Sequence, residues 1–102
     1  MTGAAMGGGL MSRQLLSGIR GTIREFERNL IDVAEVQGRL ARCGRGLDRT
    51  LKPLADRIRD VEFELERVRF LVSQEDQHRQ GLLALEGLDV LSAAFESGRN
   101  EA

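Results

Sequence analysis

Nucleophilic catalysis needs a Cys or Ser within hydrogen-bond reach of a His, with a third group to orient the base. The chain has a single Cys, Cys43, and a single His, His78. His78 stands among Gln77, Arg79 and Gln80, a polar run that reads as a loop and makes it a solvated histidine. Cys43 precedes Gly44 and Gly46 beside Arg42 and Arg45, whose charges would favour a thiolate; the plainer reading is a small residue at a helix end. One Cys excludes an internal disulfide, so packing must hold the fold and a reducing compartment such as the cytoplasm is expected.

A zinc site fails by count, because four N or S ligands cannot come from one Cys and one His. Glu62, Glu64 and Glu66 form no convincing oxygen cage. On a helix Glu64 and Glu66 precede Arg67 and Arg69 by three residues, the spacing of solvated ion pairs worth about 0.2 to 0.5 kcal/mol each. The glycines precede no Gly-Lys-Ser and form no Gly-x-Gly-x-x-Gly after a strand, so no phosphate loop is expected. These residue sets predict no catalytic group, no metal ligand and no cofactor.

Charge is distributed less evenly than the net value of -1 suggests. Between residues 39 and 52, Arg39, Arg42, Arg45, Arg49 and Lys52 stand against Asp48 alone, a net +4 that leaves -5 on the rest of the chain. Arg20, Arg24 and Arg28 add a basic row diluted by Glu25 and Glu27. Arginine near a helix C-terminus complements the dipole. Beyond that, the cluster suits steering toward an acidic protein surface better than gripping nucleic acid, since no aromatic residue is interleaved for base stacking.

The elements that must position these groups follow from spacing. At 102 residues there is room for one domain, and with 41% hydrophobic and 30% charged residues and 1 Pro the chain is far from disorder. Apolar residues recur at alternating intervals of three and four: Leu16, Ile19, Ile23, Phe26, Leu30, Val33, Gln37, Leu40, Gly44, Leu47, Leu51, Leu54, Ile58, Val61, Leu65, Val68 and Val72. Of these 17 positions 15 are apolar, where composition alone would give about 7. This is a helical signal of coiled-coil type.

Cys43 to Gly46 and Pro53 interrupt it, so one helix should end near Arg42 and another start between Thr50 and Pro53. Thr22 and Glu25 have the form of a capping box, which places the first helix at 22 to 42 with a further helical stretch at 12 to 20. A second follows at about 51 to 73. Residues 61 to 66 alternate and could form a strand, but the persistent three-four spacing and the Glu and Arg content predict helix. The polar run 73 to 81 is a loop or an exposed turn capped by Ser73 with Asp76. A third helix, 82 to 96, is apolar apart from a strip of Glu86, Asp89, Ser92 and Glu96, and requires cover on most sides. Residues 1 to 11 lack the basic and apolar regions of a secretory signal and read as a flexible leader; 97 to 102 read as a flexible tail. No apolar run approaches the roughly 20 residues of a membrane span.

The expected fold is all-α: an antiparallel helical hairpin of coiled-coil type plus an apolar C-terminal helix, completed by oligomerisation or a partner. The expected role is a non-enzymatic protein-protein interaction module, such as an oligomerising subunit, an adaptor or a small chaperone of a larger assembly. Its contacts would come from Phe63 and Phe70, off the main seam, and from Leu82, Leu85, Leu88, Leu91 and Phe95, with the basic turn steering. A small nucleic-acid-binding regulator touching phosphates through that turn is the alternative.

Overall fold

The structure, a computed structural model, describes the backbone of residues 2–101 and the side chains of residues 13–97. It is all-helical, with no strand among the described residues: α1 (Thr2–Glu27), α2 (Val33–Gly46), α3 (Lys52–Leu71) and α4 (Gln74–Glu101), with a 3-10 turn at Arg49–Leu51 leading into α3. The alternating segment 61 to 66 lies inside α3.

Each helix packs on its sequence neighbours, and α4 closes back onto α1. Contact order along the helices shows neighbours running antiparallel. Gly18 and Gly46 of α1 and α2 lie beside Cys43 and Leu15, Gly44 beside Ile58 of α3, and Gly87 of α4 beside Arg57. Gly81 meets Phe26 while Arg20, a turn and a half earlier, reaches Glu96. Short connections dictate this up-and-down order, since a helix followed by a few turn residues can only pack back beside its predecessor.

The core is the seam folded into a ring. Leu16, Ile19, Ile23 and Phe26 of α1, Val33, Val36 and Leu40 of α2, Leu54, Ile58, Val61, Leu65 and Val68 of α3, and Leu85 and Leu88 of α4 are buried, with Leu51 closing the base of α3. On α4 the inward face is Gly81, Leu85, Leu88 and Ser92, again at intervals of four and three. The C-terminal helix is therefore covered by α1 and α3 of its own chain.

The helix boundaries depart from the expected ones in four places. No single helix runs from 22 to 42. The chain breaks after Glu27, where Asn29 takes the left-handed conformation at φ 63°. The Asn29 N–H donates to the Phe26 carbonyl and the Leu30 N–H to the Glu25 carbonyl, both at 2.9 Å, the bond pair of a Schellman C-cap. Asp32 then caps α2, accepting from the Glu35 N–H at 2.8 Å. Leu30, placed on the seam by spacing, is exposed, and Val36 rather than Gln37 is the buried residue of the next turn.

Second, Thr22 is not a cap. It lies within α1 and its hydroxyl donates to the Gly18 carbonyl at 2.8 Å, a bond inside the helix. Third, α2 continues past Arg42 to Gly46, because Gly44 and Gly46 serve close packing against Ile58 and Leu15 and neither takes a positive φ. Fourth, the last helix begins at Gln74 rather than 82. Ser73 precedes its first turn, donating its hydroxyl to Asp76 at 3.2 Å, and the Gln77 side chain donates to the Arg69 and Val72 carbonyls at 3.2 and 3.1 Å, satisfying the end of α3. The side chains of the expected leader, 1 to 11, and of all but the first residue of the expected tail, 97 to 102, lie outside the described residues; the helical backbone of α1 includes residues 2–11 and that of α4 residues 97–101.

Candidate functional site

The two residues with intrinsic chemical reactivity are held apart. Cys43 is beside Gly18 and His78 beside Phe26, and eight residues of α1 separate those levels by about 12 Å. Cys43 is half-buried, and burial pushes its thiol up, with the Arg42 charge only opposing that shift. The flanking arginines thus do not produce a thiolate, contrary to the sequence-based suggestion, because desolvation outweighs them. His78 is not a loop residue: its ring packs on Phe26 at a centroid distance of 4.8 Å and a tilt of 36°, and its Nδ1 is buried without a hydrogen-bond partner. No cluster of three or more His, Cys, Asp or Glu suited to a metal ion occurs among the described residues, and none of their helices is long and apolar enough to cross a membrane.

Within the polar strip of α4, Ser92 is buried and Asp89 and Glu96 turn toward α1, while Glu86 is exposed. Arg20 of α1 binds Glu96 through Nη1 and approaches Asp89 Oδ1 through Nε at 3.7 Å. The Glu96 hydrogen bond, opposed by desolvation and aided by both acids' charges, raises the Arg20 pKa further. Ser92 lies between these acids in sequence and is fully buried, its hydroxyl unpartnered. This strip clamps α1 to α4.

The basic turn is likewise split. Arg39 is held by Glu35 at 3.0 Å and Glu25 at 3.1 Å, and Lys52 by Asp56 at 2.9 Å, so both are engaged within the chain. Arg42, Arg45 and Arg49 are exposed. Arg45 also acts on Glu62 across the α2–α3 groove, where burial raises the Glu62 carboxyl and Arg45 and Arg59 counter that rise. The five cations are not one free patch.

Of the seven apolar residues expected to meet a partner, the fold divides two from five. Phe63 and Phe70 project from α3 at 66% and 69% exposure, joined by Leu71 at 77%. With Glu66 and Arg67 they frame a shallow hollow of about 400 Å³, and the Arg69 guanidinium stacks over Phe70 at 5.0 Å. Leu85 and Leu88 are buried at 1% and 0%, and Leu82, Leu91 and Phe95 are partly buried against the core. A partner cannot reach Leu85 or Leu88 without opening the bundle, so their apolarity is explained by the chain's own packing.

Sequence reasoning missed the outward residues of α4. Leu83 and Val90 are exposed, one heptad apart, and rim a groove of about 550 Å³ between α4 and α1 whose charged lining is Glu27, Glu86 and Asp89 together with Arg79. Their seven-residue spacing, on the face opposite Leu85, Leu88 and Ser92, was the available signal. No family model matches the chain, and no curated protein or solved structure shows significant similarity to it.

Proposed function

We propose that the chain is a non-enzymatic helical interaction module, a small subunit that binds copies of itself or a larger protein assembly. One observation carries this: two of its four Phe side chains stand in solvent on the outer face of a bundle that already buries a continuous core. Aromatic side chains contribute most of their energy when covered, and an exposed cluster of them is a mark of an interface. The coiled-coil character of the α2–α3 hairpin, and an adaptor, scaffold or chaperone role, belong to the same reading.

Sedimentation velocity over a wide concentration range, together with affinity capture from a cell extract, tests it. Association or capture that is lost in a Phe63→Ser plus Phe70→Ser variant or in a Leu83→Ser plus Val90→Ser variant is expected. A wild-type chain that stays monomeric and captures nothing ends the reading. The exposure of Arg42, Arg45 and Arg49 supports a second reading, phosphate contact by the turn. Its signature would be nucleic-acid retention that falls steeply with salt and disappears when the three are changed to Glu.

A further inference from the structure

We propose that the outer face of α3 is self-complementary and takes a second copy of this chain, the two α3 helices lying parallel about a two-fold axis. This rests on the interaction reading and specifies its partner and geometry. The α3 face is ordered by the helical repeat: Phe63 and Phe70 lie within about 20° of each other around the axis, and close to opposite the inward residues Leu54, Val61 and Leu65. The flanks of this aromatic line are charged. On one side stand Arg59 and Glu66, on the other Asp60 and Arg67, all four exposed.

Signs alternate so that only one arrangement satisfies every position. With the two-fold along the helix, each flank meets the opposite flank of the copy at the same level. Phe63 and Phe70 then meet their own equivalents, Arg59 faces Asp60 and Glu66 faces Arg67, each pair occurring twice. In an antiparallel pair each flank meets itself. The register that puts Phe63 on Phe70 sets Glu66 against Glu66 and Arg67 against Arg67. The register that puts Phe63 on Phe63 pairs Arg59 with Glu66 and Asp60 with Arg67, but drives Phe70 onto Asp56, a carboxylate already bound to Lys52. Neighbouring contacts leave the parallel set available: Glu66 accepts from Gln37 only at 3.4 Å, and Arg59 approaches Asp56 at 3.8 Å with its side chain 69% exposed.

The face is one helix of 20 residues, about 30 Å long. That is at the small end of protein interfaces, so the dimer dissociates on dilution. Sedimentation equilibrium of the full chain and its charge variants is the test, with thermal melts to verify that these surface changes leave the fold intact. Glu66→Arg and Arg67→Glu should each weaken the dimer about tenfold, by converting two attractive pairs to repulsive ones. The double exchange Glu66→Arg plus Arg67→Glu should return affinity to within about threefold, because the parallel pair is restored with its signs reversed. Phe63→Ser plus Phe70→Ser should leave a monomer. A double exchange weaker than either single change overturns the parallel arrangement, since that is the outcome for the antiparallel register that puts Phe63 on Phe63; single changes that leave affinity unaltered overturn it as well, since the register that puts Phe63 on Phe70 only trades one like-charge pair for another. A wild-type monomer at every concentration also overturns it: if that monomer still captures a partner lost with Leu83→Ser plus Val90→Ser, the interaction reading stands without it, and if it captures nothing both fall.

Discussion

Gly81 shows how a single hydrogen can set a helix spacing. A Cβ there would lie 2.6 Å from Cζ of Phe26, whose buried ring is already backed by His78, so the ring has little freedom to withdraw. Gly81→Ala improves helix propensity by about 1 kcal/mol yet should destabilise the protein by about 1 to 3 kcal/mol through overpacking. Urea denaturation reads the sign, and a stabilised variant would contradict the packing described. Cys43 gives a pH dependence. Because burial raises its folded-state pKa above the unfolded value, its contribution to stability is fully present below the ordinary thiol pKa and is lost as pH rises through the folded one. Stability should therefore fall with rising pH in the alkaline range, and Cys43→Ala should flatten that slope. Thiol labelling of the folded chain should be slower than of the unfolded chain at the same pH.

At the scale of elements, the joint between α1 and α2 is built from two local signals, Asn29 in the left-handed region and the Asp32 cap. Asp32→Ala should cost about 1 kcal/mol. Asn29→Gly should be tolerated and Asn29→Val should cost about 1 to 2 kcal/mol. Chemical denaturation of the three variants measures all of these. The same joint explains how far the fold was legible. In α3 each seam residue from Leu54 to Val68 is buried as its spacing requires, because a helix of 20 residues keeps its phase. Between α1 and α2 the turn happens to preserve the three-four count, so Leu30 mimics a core position although it lies in the connection. Apolar spacing reports phase, whereas chain reversal is written in cap chemistry, which Asn29 and the Asp32–Glu35 pair carried. The candidate surface was half legible for a related reason. Phe63 and Phe70 stood out because they lay off a well-defined seam. The α4 apolar residues did not sort into inward and outward sets until the start of that helix at Gln74 and its polar contacts to Arg20 were known.

At the scale of the whole molecule, three of the four large helix interfaces join consecutive elements; α1 with α4, together with a slight diagonal contact of α2 with α4, joins the chain's distant parts. That closure is made by Phe26 on Gly81 and His78, and by Arg20 with Asp89 and Glu96. Its consequence lies in time rather than in space. Contacts between consecutive helices require short loop closures and form early, while the ring can shut only after the three hairpins have brought α4 around. Substitutions at the closure should then act on the exit from the native state: Arg20→Ala should speed unfolding and leave the refolding rate nearly unchanged, whereas Ile58→Val between α2 and α3 should slow refolding. Stopped-flow chevrons of the two variants separate these behaviours. The Arg20 clamp is thus a latch on the lifetime of the folded chain, set apart from the contacts that start its folding.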